Sequence, residues 1–539
     1  MCSSQTPLQN TGKPLTILDL GDDIICFHLV QFLDDRDIVS LFLTCKQLYQ
    51  TLNTTVVWQQ LFQNTFHSVR SAIPLQLQLK WPKLYSLRKN AQLYTWGSND
   101  FSRLGVPQVP DENYEYISVG RAIIRRMAHP LHLDLHGKYS STKNSRLVNA
   151  SGTGDDKSDI IDITGGGFSF EILTSSGNVY FTGTSYMGQL SQSAPGPELI
   201  AHRRFGRMGT DFRWKSVNKV TTCNSSNSNG DGDEELEKDE NAHFVEMSSG
   251  RTHFIALSEN KQDIWTWDER RQFHKGVKLN LVNPDTHASL IDEKHTVAKV
   301  RAGWGLSSCL INGVGIVVWN SREGVPNEHQ TSVFGPSSAS VTVIEDTKQD
   351  KVADYIVLER YILYITFHGE LMKVKLNGDD LGKAVSIPNS GRLEKFHKYA
   401  ESHSDTLSSP SFVRISGNFN KFAVMTNDDQ VLLGNSNDFL PVVHPELQHN
   451  SIISMAVGDY HYLALNKKGE VYSWGTESER NGCLGDLGSF QEILESGIGV
   501  MSGRSLVVEH PTKIKLPHGG VALAIAAGGW HSAALVGFY

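Results

Sequence analysis

Three histidines recur at one position of a repeated pattern: His253, His461 and His531. Three imidazoles suit zinc, which takes nitrogen ligands in tetrahedral sites. Other copies of the pattern, however, place Phe168, Leu306, Tyr361 and Asn420 at that position. Each copy then carries its own residue in its own structural unit, so the expectation is imidazoles that bond neighbouring backbone and no metal site. Gly165-Gly166-Gly167 lacks the Lys-Ser/Thr that completes a phosphate-binding loop. Asn227, Asn229 and Asp231 alternate before Gly232 as in a calcium loop, but Lys238 stands where the bidentate glutamate belongs. The chain has no H-E-x-x-H, G-x-S-x-G or Walker lysine. Three Asn-x-Ser/Thr triplets begin at Asn53, Asn149 and Asn224; such short motifs arise by chance. A non-catalytic protein without a cofactor is expected.

Two basic segments suit binding better than catalysis. Arg203, Arg204, Arg207, Arg213 and Lys215 lie among Phe205, Phe212 and Trp214. Arg121, Arg125, Arg126, His129 and His132 form the second. Both fall between repeat cores, where insertions project, and could recognise an acidic or phosphorylated protein surface.

The 539 residues carry 50 Lys and Arg against 58 Asp and Glu, a net charge of −8. That balance disfavours a nucleic-acid coat. The acids are concentrated at 231–240 (DGDEELEKDE), behind a Ser/Asn/Gly stretch, and 223–241 reads as a disordered acidic insertion. Six cysteines without a C-x-x-C pair argue against a disulfide or zinc scaffold. No leader-like or membrane-spanning apolar run is evident, so a cytoplasmic or nuclear protein without membrane contact is expected.

The elements that must position these groups come in two kinds. The first ninety residues have helical periodicity. Asp22 can cap a helix bearing Ile25, Leu29, Phe32 and Leu33; Ile38, Leu41, Phe42, Cys45, Leu48 and Tyr49 continue the apolar stripe. Thr54 or Thr55 can cap a third helix with Trp58, Leu61 and Phe62. Three short amphipathic helices barely make a core, and such a unit usually needs a partner surface. Residues 15–62 resemble an F-box. The text that carries the resemblance is Leu20-Gly21-Asp22-Asp23-Ile24-Ile25, Phe32-Leu33, Asp37-Ile38, Cys45-Lys46-Gln47-Leu48-Tyr49 and Trp58, with Gly21 where the family usually has Pro. The resemblance implies docking onto the Skp adaptor, and through it cullin, by Leu20, Ile24, Ile25, Leu29, Phe32, Leu33, Ile38 and Leu41. Residues 63–90 read as a helical connector broken at Trp81-Pro82, with Leu84, Tyr85 and Leu87 to pack it.

From 91 to 539 the chain repeats one unit: a strand ending at a glycine, a second strand, a turn, and a third strand ending in Trp-Gly. Residues 452–485 give the clearest copy, with Gly458, His461 and Trp474 as anchors. Gly165, Gly250, Gly303, Gly417 and Gly528 match Gly458, and Leu358 marks a copy without glycine. The Trp474 position is Trp96, Trp267 and Trp319 in other copies and Thr182 in one; these tryptophans read as core. The ends are informative. Residues 521–536 are the first half of a unit and 92–105 the second half, so joining them completes one unit and closes a ring of seven.

Ala526-Ala527-Gly528 with His531-Ser532, Gly469 to Gly475 (GEVYSWG) and Gly188-Gln189-Leu190 resemble the repeat of the regulator-of-chromosome-condensation family. That family implies a seven-bladed β-propeller. The expected architecture is therefore multidomain: a small all-α F-box module followed by an all-β propeller. The combination implies a substrate-recognition subunit of a Skp–cullin–F-box ubiquitin ligase, whose propeller holds a protein target for ubiquitination and degradation. The alternatives are a guanine-nucleotide exchange factor and a scaffold outside a ligase.

Overall fold

A computed structural model describes residues 17, 20–33, 35–66, 80–100, 103–105, 109, 111–119, 121–133, 158–183, 217–219, 221–222, 242–268, 275–324, 337–349, 351–377, 381, 390–404 and 409–539. The acidic insertion and the arginines from Arg203 to Arg213, with Lys215, lie outside these residues. Two compact units emerge, one ending at Lys89 and one beginning at Asn90. No helix among the described residues is long and apolar enough to cross a membrane.

The first unit is helical. A π-helical turn at Ile24–Leu29 tightens into a 3-10 turn at Val30–Phe32. Helices α1 (Asp35–Phe42), α2 (Lys46–Leu52), α3 (Thr55–Phe66) and α4 (Trp81–Lys89) follow. Asp22 does not cap the first turn; its carboxylate accepts from the Thr51 hydroxyl at 3.0 Å and ties that turn to α2. Cys45 caps α2, its Sγ accepting from the Leu48 N–H at 3.5 Å. Asn53, first residue of a glycosylation triplet, accepts from the Trp58 indole at 2.8 Å. Pro82 sits in the first turn of α4, where a missing N–H costs nothing. Tyr85 of α4 then packs 5.5 Å from both Trp58 and Phe66, and the Arg88 guanidinium covers Phe66 at 5.6 Å. The buried core is Ile25, Val30, Ile38, Leu48, Leu52, Val57, Leu61, Phe62, Phe66, Leu84 and Leu87.

The second unit is a seven-bladed β-propeller. Blade 1 joins the two ends of the unit: Val521–Ala527 and His531–Gly537 pair with Gln92–Gly97, then Leu131–Leu133. Its register runs from Gln92 opposite Val536 to Gly97 opposite His531, which is the expected split unit. The innermost strands of blades 2 to 7 are Ile160–Gly165, Phe244–Ser249, Val297–Ala302, Val352–Val357, Phe412–Asn418 and Ile452–Val457. A hairpin, Glu115–Val119 with Ala122–Arg126, stands apart from the blades. The cores lie between adjacent sheets. One joins Ile255 and Leu257 of blade 3 to Cys309, Val317 and Trp319 of blade 4; another joins Leu363 of blade 5 to Phe422 and Leu432 of blade 6.

The repeat closes on one backbone hydrogen bond. The N–H of Gly458 donates to the His461 carbonyl at 2.9 Å across a two-residue turn. Gly250, Gly303, Leu358 and Gly528 close on His253, Leu306, Tyr361 and His531 in the same way. Two copies shift by one residue from the sequence alignment. Gly166, not Gly165, closes on Ser169, so Ser169 rather than Phe168 takes the histidine position. In blade 6 Asn418 pairs Lys421, so Lys421 rather than Asn420 does so. Both copies have adjacent small or amide residues at the turn, which conceals the register from a glycine-anchored alignment.

Trp96, Trp267, Trp319 and Trp474 are buried blade core, as expected. In blade 6 Gly434 stands opposite Phe422, and the vacant volume is filled by the rings of Phe422 and of Phe396 from helix Glu394–Ser402.

Candidate interaction surfaces

The F-box-like residues divide by burial. Ile25 and Ile38 are 3% and 0% exposed and belong to the module's core. Leu29, Leu33 and Leu41 are half-buried. Leu20, Ile24 and Phe32 face solvent, Phe32 with 78% of its surface. Val39, Leu43, Tyr49 and Val56 are exposed as well, Leu43 at 82%. Val39 lies on α1 and Leu43 follows its last residue, the Leu43 N–H donating to the Val39 carbonyl at 3.3 Å. Seven of the seventeen exposed large apolar side chains among the described residues thus lie between 20 and 56, so apolar exposure is concentrated on the small module. Val39, Leu43 and Tyr49 were missed because an apolar stripe in sequence does not say which of its residues face inward.

The second basic segment does not act as one patch. Arg126 is fully buried at the root of the hairpin, its Nε donating to Glu477 at 2.8 Å and its Nη1 to Glu115 at 2.9 Å. Burial opposes its charge, and the two carboxylates outweigh that and raise its pKa. Arg125 stays outside, 5.7 Å over Tyr114 and 5.9 Å over Tyr116. Arg121 and His129 are exposed, His129 within 3.1 Å of Asp486; His132 is also exposed and packs on Tyr94 at 5.4 Å.

The three histidines are buried in separate blades. His461 Nε2 lies 2.6 Å from the Ser532 hydroxyl and His531 Nε2 lies 3.1 Å from the Ser169 carbonyl, each bridging to the next blade. Burial holds their pKa values down, to about 4 for His253 and about 3 for His461, and well below the usual range for His531. All three are neutral, and His461 and His531 act as hydrogen-bonding spacers between blades. A His444–Glu446–His510 group on blade 7's side brings three donor atoms within 4.8 Å of one another. Its His510 Nδ1 already faces Glu446 at 3.2 Å.

The axial mouth of the propeller carries the most concentrated side-chain chemistry. The seven innermost strands run in one direction around the axis, so the two-residue turns that follow them lie on one face. These turns contribute Phe168, Arg251, Trp304, Glu359, Arg360, Phe419, Asp459, Tyr460 and Trp530. The Arg103 guanidinium lies 5.3 Å from the Phe168 ring and 5.7 Å from the Trp530 ring. The Arg251 guanidinium lies 5.8 Å from Phe168 and 4.0 Å from Trp304. Trp304 meets Phe419 at 4.4 Å, past the exposed turn of blade 5, and Tyr460 meets Trp530 at 6.2 Å. The Asn418 amide closes the collar by donating to Asp459 at 2.9 Å, and Lys421 donates to the Asp459 carbonyl at 2.8 Å. Phe168, Trp304, Phe419 and Trp530 are half-buried and Tyr460 is exposed. Burial pushes the Arg103 guanidinium down and the Asp459 carboxyl up. The signal in the sequence was the pair of residues after each repeat glycine, a position where the copies diverge while their neighbours agree.

Comparison with known proteins agrees with both units. The regulator of chromosome condensation (RCC1) repeat family matches residues 452–483 and 468–535. The chain is 24% identical to SCF-associated factor 1 of Saccharomyces cerevisiae, over 96% of this chain and 97% of that protein. It is 24% identical to F-box protein pof9 of Schizosaccharomyces pombe, over 96% of this chain and 89% of that one. Among solved structures it is similar in fold to yeast RCC1 (Prp20) bound to Kap60, at 13% identity and a TM-score of 0.50, covering 83% of this chain and 89% of that one.

Proposed function

From the resemblance to F-box proteins that carry RCC1-like repeats, we propose that this chain is the target-binding subunit of a Skp–cullin–F-box ubiquitin ligase. The exposed apolar surface of a helical module too small to be a domain of its own purpose carries the reading. Leu20, Ile24, Phe32, Val39 and Leu43 leave apolar area in water that a partner would cover, and the Skp adaptor is the partner the F-box resemblance implies. The half-buried Leu29, Leu33 and Leu41 border that surface, while Ile25 and Ile38 support it from within. The propeller would hold the protein destined for degradation. The chain itself makes no covalent intermediate. It raises the effective concentration of the target's lysines beside a charged ubiquitin carrier.

Co-elution with recombinant Skp adaptor tests this. The wild type should form a stoichiometric complex, and an Ile24→Asp, Phe32→Asp variant should not, with the propeller melting unchanged. Failure of the wild type to bind would overturn the reading.

A further inference from the structure

We propose that the collar at the axial mouth of the propeller is a peptide-binding site for an extended acidic segment of the target. A carboxylate side chain of that segment meets Arg251, and a neighbouring bulky apolar side chain packs on Trp530 and Tyr460. The inference rests on the target-receptor reading of the propeller and names the class of segment it takes.

Charge is the first ground. Arg103, Arg251 and Lys421 surround the Asp459 carboxylate, with the Asp100 carboxylate also beside Arg103, so three cations meet two acids, while Glu359 and Arg360 lie 3.8 Å apart and offset each other. The mouth is cationic in a chain whose net charge is −8. Arg251 is the cation held within the aromatic collar. Its guanidinium rests on the Trp304 face; Asp459 acts on it through space, without an ion-pair contact among the described residues, which leaves its N–H edges for a ligand. A ring-stacked guanidinium is also pre-oriented, so little side-chain freedom remains to be lost on binding.

Apolar surface is the second ground. Aromatic rings that a blade does not need sit at the mouth, half-covered by one another. Tyr460 is 44% exposed beside Trp530. Aromatic and arginine side chains together are the composition of interface centres. A carboxylate is favoured over a phosphate. The Arg251 guanidinium matches one negative charge, and Asp459 stands close enough to Arg251 to repel a dianion more strongly.

The probe is a fluorescein-labelled positional library of end-blocked decapeptides, titrated onto the full chain bound to Skp adaptor. Asp or Glu should be selected at one position and Leu, Phe or Trp within two residues of it. Arg251→Glu should weaken the acidic peptides by about tenfold or more and shift that position to Lys or Arg. Tyr460→Ala should weaken the apolar preference alone. Phe367→Ala, in a turn after a blade's second strand and so on the opposite face, should change neither. No selection for an acid, selection of phosphoserine without Asp or Glu, or an acidic preference that survives Arg251→Glu would each overturn the proposal. Adaptor binding by the variants is scored separately, so loss of the ligase reading and loss of this one are distinguishable.

Discussion

Replacing Phe32 by alanine should weaken adaptor binding without destabilising the helical module. Phe32 leaves 78% of its surface in water. A phenylalanine has about 200 Å² to bury, so roughly 150 Å² remains uncovered in the free chain. At about 25 cal/mol per Å² that area is worth at most about 4 kcal/mol on docking. Measured interface anchors contribute about 2–4 kcal/mol, which brackets the expectation at a loss of about 30- to 700-fold in Kd. The folded module loses almost nothing, because an exposed side chain has few partners and its removal shifts stability by about 0.5 kcal/mol or less. Ile25→Ala is the contrast. At 3% exposure it leaves a cavity, costs about 2–5 kcal/mol of module stability, and impairs docking only through unfolding. Calorimetric titration of Skp adaptor into each variant, beside thermal melts, separates the two. Phe32→Ala and Leu43→Ala both binding within twofold of wild type, with unchanged melting, would refute the assignment of this surface.

Glu171 is buried between blades, where the Ser169 and Ser249 hydroxyls and its own backbone N–H donate to it, and burial outweighs them and raises its pKa from 4.5 to about 7. The folded state then holds a proton that the unfolded chain releases, so stability falls as pH rises from about 4.5 to 7; Glu171→Gln should gain about 2–3 kcal/mol on wild type at pH 8 relative to pH 5, read from denaturant midpoints. His253 and His461 act in the opposite sense, since their lowered values make stability fall as pH drops below about 6.5. Gly458→Ala would put a methyl 2.6 Å from the Gly528 carbonyl and should destabilise the propeller by more than about 2 kcal/mol, whereas Gly305→Ala meets nothing within 4 Å and should be neutral in the same melt. Arg126→Ala strands Glu477 without its buried partner and should cost about 3–5 kcal/mol, much of it recovered in an Arg126→Met, Glu477→Leu pair.

The ring and its closure were legible because they depend on local patterns. A half-unit at each end, Gly-x-x-His turns and Trp-Gly strand ends each have a backbone or packing cause within a few residues. The ring of His461 packs where the Cβ of residue 458 would stand, so glycine and imidazole are coupled within one turn. The register of blades 2 and 6 was not legible, because Gly165-Gly166-Gly167 and Gly417-Asn418 each offer adjacent residues that could anchor the turn. Burial was not legible either. Arg126 reads as surface charge until Glu477, 351 residues away, is brought beside it. Ile24 and Ile25 are adjacent in sequence and opposite in fate, because successive residues of a helical turn point in different directions around its axis.

The same coupling explains where specificity can reside. In each blade the closing hydrogen bond and the residue behind it, whether His253, Leu306 or His531, are fixed by packing on the next blade. The two turn residues between them lie outside that closing bond and are released from that constraint. They are accordingly Gly167-Phe168, Arg251-Thr252, Trp304-Gly305, Glu359-Arg360, Phe419-Asn420, Asp459-Tyr460 and Gly529-Trp530, no two alike. A structural role would tolerate any small polar pair at such turns. Large aromatics and cations in water-facing turns are instead unfavourable for the isolated chain, since they leave apolar area and rotamer freedom only half used. Their mutual stacking recovers part of that, and an occupant that covers Tyr460 and Trp530 while meeting Arg251 would recover the rest.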